Sequence, residues 1–211
     1  MSAPSLLLVR MDIAHDHEAT VNQIYEQEHL PPILEVPGVR RITRYRQSAP
    51  TSPRYMTAVE VDSPAVIDSA VWRTAVDVGR WPREGRPFTM NRHVAMYRWV
   101  GSATALTHRT PFVFWVMMDV EPHREALFNE LYDEEHIPLL LKLPGSVAAV
   151  RYRTDAADAP RYLAAYEVER ADLPMSTAWN DTSDIGRWKP EVRPYTYNKR
   201  FIVAERIWPR G

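Results

Sequence analysis

The sequence contains no cysteine. That excludes disulfides, thiolate nucleophiles and cysteine-ligated metals together. Neither a Gly-x-Gly-x-x-Gly turn nor a phosphate loop is present, so no nucleotide site is expected. There is no Gly-x-Ser-x-Gly elbow of the kind that presents a serine nucleophile. No His-x-x-x-His pair or His/carboxylate triad stands out, so no metal centre is expected either. No apolar run approaches the ~20 residues of a membrane helix. The N-terminus lacks a basic stretch followed by an apolar one, which points away from a secretory leader and towards a cytoplasmic location. The formal net charge is -1, which gives no reason to expect a nucleic-acid or anionic-membrane partner. What remains is an ordinary composition, 45% apolar and 25% charged, ample for the core of two small domains or one composite one.

What the sequence does have is itself, twice. Tyr25-Glu26-Gln27-Glu28-His29-Leu30-Pro31, closed by Pro37-Gly38, returns as Tyr132-Asp133-Glu134-Glu135-His136-Ile137-Pro138, closed by Pro144-Gly145. The offset between His29 and His136 is 107 (136 minus 29). The same offset relates Met11-Asp12 to Met118-Asp119, Arg44-Tyr45-Arg46 to Arg151-Tyr152-Arg153, and Arg54-Tyr55 to Arg161-Tyr162. It also relates Trp72 to Trp179, Gly79-Arg80-Trp81 to Gly186-Arg187-Trp188, Arg86-Pro87 to Arg193-Pro194, and Asn91 to Asn198. No gap is needed, so one unit of roughly 100 residues is written twice.

Each copy reads strand, helix, strand, strand, helix, strand. In the first copy Leu6–Met11 is a short apolar strand. Val21, Ile24, Tyr25, Glu28 and His29 then share one helix face. Pro31 and Pro32 are expected to end that helix. Val39–Gln47 and Tyr55–Val61 read as strands rich in β-branched and aromatic residues. A second helix is expected from Pro64 to about Val78, and a long strand over 88–100. The second copy repeats this order, with strands at 112–119, 147–154, 162–168 and 195–207. Its helices fall at 124–141 and, less regularly, 174–185. The expected fold class is α+β: two tandem ferredoxin-like β-α-β-β-α-β units, residues 1–100 and 111–211, joined by a linker over 101–110. Apolar and aromatic strand residues such as Tyr55, Val59, Tyr162 and Tyr166 suggest that the sheet face away from the helices needs cover. Packing the two units sheet to sheet as a pseudo-dimeric α/β barrel would supply it.

Two such units, each with Tyr-x-x-Glu-His-[Leu/Ile]-Pro near the end of its first helix and Pro-Gly after it, resemble the dimeric α/β-barrel superfamily. The resemblance is strongest to its EthD-like branch, in tandem form. That superfamily includes cofactor-free monooxygenases, polyketide cyclases, lactone isomerases and haem-dependent dehydratases. The resemblance therefore implies a small-molecule site between sheet and helices, served by His and Tyr, and leaves the reaction open. A homodimer of the chain is consistent with it.

His29 and His136 lead the candidates for general acid or base, with Tyr25 and Tyr132 one turn before them as hydrogen-bond donors to a developing oxyanion. The alternative is structural: Glu-His-x-Pro as a device that satisfies backbone groups where the helix ends. Arg44 and Arg151 are expected to pair with Glu60 and Glu167 on the next strand, or else to bind a substrate anion. Asn91 recurs mid-strand, where Asn is disfavoured, so it requires a side-chain hydrogen bond. Alternation places His93, Tyr97 and Trp99 with Asn91 on one face, as pocket lining, with His93 as the ligand should haem be bound. Trp72, Trp81, Trp179 and Trp188 read as core or as the wall of an aromatic-binding pocket. His93, Tyr97 and Trp99 against Arg200, Ala204 and Arg206 make unit 1 the expected home of the more polar pocket and the working histidine. The chemistry expected of this set is cofactor-free proton transfer of lyase, isomerase or cyclase type. An oxidase or monooxygenase using haem or oxygen and a non-catalytic small-molecule-binding or stress-response module are the alternatives.

Overall fold

A computed structural model describes residues 4–101 and 105–209. By contact density the chain forms two compact units. Unit 1 comprises the residues up to Arg98 together with those from Ile207 onward, and unit 2 is Trp99–Arg206. In unit 1 the order is β1 (Ser5–Ile13), α1 (Glu18–Ile24), α2 (Leu30–Leu34), β2 (Val39–Gln47), β3 (Tyr55–Val61), α3 (Ala70–Ala75) and β4 (Thr89–Val100). In unit 2 it is β5 (Phe112–Val120), α4 (Glu125–Leu131), α5 (Ile137–Leu140), β6 (Ser146–Arg153), β7 (Tyr162–Val168), α6 (Thr177–Ser183), α7 (Trp188–Glu191) and β8 (Thr196–Trp208).

Within unit 1 the strands pair antiparallel in the order β4-β1-β3-β2. Within unit 2 the order is β8-β5-β7-β6. One face of each sheet carries the helices. In unit 1, Leu7, Met11, Tyr55 and Val59 from the sheet pack with Val21, Ile24, Leu30 and Ile33 from α1 and α2, and with Trp72 and Trp81. In unit 2, Phe114, Met118, Tyr162 and Tyr166 pack with Phe128, Leu131, Ile137 and Leu140, and with Trp179 and Trp188. Tyr55, Val59, Tyr162 and Tyr166 thus belong to the helix face, not to the opposite one as expected. The opposite face is buried as well, through other residues: Leu6, Leu8 and Tyr97 are 1–2% exposed.

The first helix of each unit departs from expectation in an instructive way. It does not end before the prolines. A π-turn over Tyr25–His29 joins α1 to α2, with the Leu30 N–H donating to the Tyr25 carbonyl five residues back. Pro31 and Pro32 then fall in the first turn of α2, where a missing N–H costs nothing. Unit 2 repeats this with a π-turn over Tyr132–His136. The second helices are shorter than expected. Ser69 and Ser176 cap α3 and α6, each side chain accepting from the backbone N–H of Trp72 or Trp179 at 3.1 Å. That fixes where each tryptophan enters the core.

Asn91 and Asn198 each sit at a bulge with φ of 49°, a left-handed backbone that Asn tolerates better than most residues. The Asn91 Nδ2 donates to Asp12 at 2.8 Å, and Asn198 Nδ2 to Asp119 at 2.8 Å. The pairing of β1 with β4 slips here, from Arg10 opposite His93 to Asp12 opposite Met90. A bulge changes which side chains face which side. Beyond it, Arg92 and Val94 face the helices, while His93 is exposed. Among the described residues no helix is long and apolar enough to cross a membrane.

Candidate functional site

Each unit holds a cavity between its sheet and its helices, about 390 Å³ in unit 1 and about 680 Å³ in unit 2. Both lie in the 300–1,000 Å³ range of small-molecule sites. Tyr25, His29, Trp72, Trp81, Arg86 and Arg92 line the first. Their counterparts at the 107-residue offset, Tyr132, His136, Trp179, Trp188, Arg193 and Lys199, line the second.

The π-turn places Tyr and His four apart on the cavity side. His29 stacks on Trp81 at 4.5 Å between ring centroids, and Tyr25 meets the edge of Trp81 at 4.7 Å. His136 stacks on Trp188 at 4.5 Å, and Tyr132 meets Trp188 at 4.9 Å. The neighbouring glutamate of the motif builds this stack. The Glu28 carboxylate accepts from Arg80 N at 3.2 Å and from Arg80 Nη2 at 2.6 Å. Glu135 accepts from the backbone N–H groups of Arg187 at 2.8 Å and Trp188 at 3.0 Å. The repeated Glu-His and the repeated Gly-Arg-Trp are therefore two halves of one clamp. Its glycines, Gly79 and Gly186, have φ of 65° and 75°. A Cβ on Gly186 would lie 2.5 Å from the Glu135 carboxylate.

Burial in apolar and aromatic surroundings pulls both histidines down to about 3, helped by Arg86, Arg92 and Arg44 at His29 and by Arg193 and Arg151 at His136. Both imidazoles are therefore neutral near pH 7 and weak bases by themselves; an anion formed beside one would favour its imidazolium and raise its basicity. Burial raises the Tyr25 and Tyr132 hydroxyls above the ordinary tyrosine value, against smaller opposing contributions from Thr57 and Arg44 at Tyr25, and from Tyr166 and Arg151 at Tyr132. They remain protonated donors. Each cavity thus sets a buried neutral imidazole beside a tyrosine hydroxyl, a proton acceptor and a hydrogen-bond donor side by side.

Arg44 and Arg151 take other partners than expected. Arg44 donates to Glu26 at 2.8 Å and Asn22 at 2.6 Å, both on the first helix, and lies over the Tyr25 ring at 4.7 Å. Arg151 donates to Asp133 at 2.7 Å and Asn129 at 2.6 Å, and lies over Tyr132 at 4.5 Å. The reason is direction: both arginines project from the sheet towards the helix, where Asn and an acid one turn apart meet the guanidinium fork. Glu167 instead accepts from Thr107 N at 2.6 Å and from the backbone N–H of His108. Arg44 and Arg151 therefore brace the motif tyrosines from behind and do not line the cavities.

Of the remaining sequence candidates, Trp72 lines its cavity, whereas Asn91, His93 and Tyr97 do not. The parity change at the Asn91 bulge accounts for this. The cations that do reach the cavities include Arg92 and Lys199, each one residue beyond the repeated Asn. Sequence reasoning passed over them, although a basic residue recurring at the 107-residue offset was a usable signal. The cavity comparison also reverses the expected polarity. Unit 2 lines its cavity with Tyr166, Asn180, Ser183 and Asp184, where unit 1 has Val59, Val76 and Ile67 among its lining residues.

Among the described residues no three His, Asp or Glu side chains converge as a metal site. A haem ligand histidine needs its second ring nitrogen held by a hydrogen-bond acceptor. His29 Nδ1 is buried without any partner, and His93 is exposed outside the cavity. Neither His29 nor His93 is set up as a haem ligand.

The sequence matches no protein-family model and no curated protein. Solved structures do match in three dimensions. A protein from Lactobacillus acidophilus, provisionally named a monooxygenase, is 11% identical with a TM-score of 0.61, covering 98% of this chain and 94% of its own. A similarly named Fusobacterium nucleatum protein is 10% identical with a TM-score of 0.61, covering 97% and 93%. A chlorite dismutase variant from Candidatus Nitrospira defluvii is 12% identical with a TM-score of 0.68, covering 98% and 92%. At these identities the likeness establishes the fold alone, a mixed α+β arrangement of antiparallel sheet and helices.

Proposed function

We propose that the chain is an oxygen-dependent enzyme of monooxygenase type, working without a resident cofactor on a small aromatic hydroxyl compound. The single observation that carries this is the neutral, buried histidine stacked on tryptophan beside a protonated tyrosine, present in both cavities. The histidine takes the substrate's hydroxyl proton. The tyrosine hydroxyl donates to the resulting oxyanion. The electron-rich phenolate then reduces dioxygen directly: one oxygen atom becomes a ring carbonyl, the other leaves as water with the hydroxyl hydrogen and the displaced ring hydrogen, and the phenol, having supplied all four electrons, ends as a quinone. Tryptophan walls suit a flat ring. The fold shared with proteins provisionally named monooxygenases supports the oxygen-dependent reading over a purely isomerising one. The Tyr-x-x-Glu-His motif in tandem supports placing the chain in the EthD-like branch.

The second reading keeps the same base and donor and dispenses with oxygen: a lyase, isomerase or cyclase step on an aromatic or polyketide-like molecule. It is favoured by the fact that the acid–base set is complete in itself. A panel of naphthols and hydroxyquinones incubated in an oxygen electrode separates the two. The proposal expects oxygen uptake matched one to one with product. Product formed at the same rate without oxygen would establish the second reading.

A further inference from the structure

We infer that each cavity selects a small apolar molecule carrying one negative charge, and that Arg92 and Lys199 impose that selection. This rests on reading the cavities as substrate sites and adds the class of ligand they take. Two cations line each cavity. In unit 1, Arg86 is neutralised by Asp77 at 2.8 Å and also donates to the Val76 carbonyl. In unit 2, Arg193 is neutralised by Asp184 and also donates to Ser183. The other cation, Arg92 or Lys199, has no hydrogen bond or ion pair among the described residues, yet lines the cavity. Each wall therefore carries one positive charge in excess.

The charge at 92 is felt inside. Arg92 contributes to the depression at His29 and acts on Tyr25 as well. Two cavity-lining side chains also keep polar atoms that are buried and unsatisfied, His29 Nδ1 in unit 1 and the Tyr166 hydroxyl in unit 2. Buried polar atoms are normally bonded, so both call for a polar ligand atom. Around them the lining is Leu7, Val9 and Val94, or Phe114, Val116 and Phe201. Excess positive charge at one point, one unsatisfied polar atom deeper in, and apolar walls between them describe an amphiphilic anion such as an aromatic carboxylate or a phenolate.

The test uses 1-naphthoate and its neutral near-isostere 1-naphthamide, titrated into the whole chain by calorimetry. Naphthoate is expected at two per chain, and naphthamide about 10- to 100-fold weaker, the loss of one charge-assisted contact. Arg92→Gln should remove one naphthoate site and Lys199→Gln the other, while Arg92→Lys and Lys199→Arg keep both. Both positions are exposed on strands, so melting temperature should hardly move. Should a variant fail to fold, the wild-type comparison of the two probes still decides. Equal affinity for naphthoate and naphthamide, or wild-type affinity in both Gln variants, overturns the inference. Naphthoate bound as expected with no oxygen uptake from any phenol would sink the proposed chemistry and leave the anion site standing.

Discussion

The two units share a skeleton and differ in upholstery. Arg44 and Arg151 reach the same kinds of partner at distances within 0.1 Å of each other. Tyr55 and Tyr162 each accept from the Asn at 3.1 Å and donate to Glu18 or Glu125. The His–Trp stacks have the same 4.5 Å separation. The walls are not matched: unit 2 is larger and sets Tyr166, Asn180 and Ser183 where unit 1 has Val59, Arg73 and Val76. Elements that hold the histidine in place match between the units, and the cavity walls do not.

The largest effect that bears on this comparison is catalytic. His136→Ala is expected to lower turnover in the unit 2 cavity by about 10²–10⁴, the usual cost of a lost general base. Over the whole chain His29→Ala should lower turnover less, because the more polar unit 2 cavity offers more groups to orient a substrate. Equal losses in steady-state rates would mean that wall polarity does not decide which unit works. Next in size are the braces. Arg44→Ala and Arg151→Ala each strand an acid that is mostly buried, at a cost of about 3 kcal/mol. The identical networks make the two costs equal, which urea denaturation would check.

Smaller and unequal effects are expected at the clamp. Gly79→Ala and Gly186→Ala both force a Cβ into a left-handed backbone, costing about 1–3 kcal/mol. Gly186→Ala should cost more, because its Cβ would meet a carboxylate held by two backbone N–H groups at 2.5 Å, against 3.3 Å at Gly79. The effect spread over the widest range of conditions, and small within any one pH unit, is the slope of stability with pH. Each histidine sits near 3 when folded and near 6.5 when unfolded. Between those values the unfolded chain takes up a proton that the native state refuses. Stability is therefore full above pH 6.5 and falls towards pH 3, by up to ~1.4 kcal/mol per pH unit for each histidine. Replacing both by Asn should flatten melting temperature against pH over that window.

The element order and several strand bounds were legible because the repeat confirmed each reading twice: β2, β3 and β7 run over the expected residues. Which side of a strand faced the site was not. The bulge at Asn91 changes parity within β4, so counting by twos from Asn91 led to His93 and Tyr97 instead of Arg92 and Val94. The partners of Arg44 were misread for a related reason. Strand neighbours are the obvious source of a carboxylate, but a side chain on the helix face meets the helix first. The recurrence of Asn22 and Glu26 as Asn129 and Asp133 would have pointed there. The histidine–tryptophan stack joins residues far apart in the chain, and no local pattern encodes it.

The π-turn makes the helix depend on chain length as well as on residue identity. One residue fewer between Tyr25 and His29 would close the π-turn into an ordinary α-turn. The histidine would then lie three positions from the tyrosine, about 300° around the helix axis, on nearly the face it has now. Pro31 would instead stand inside a continuous α-helix, its ring against the carbonyl four residues back, at a cost of ~3 kcal/mol. A deletion of Gln27, or of Glu134 in the other unit, is therefore expected to lower melting temperature before it moves the histidine out of its cavity.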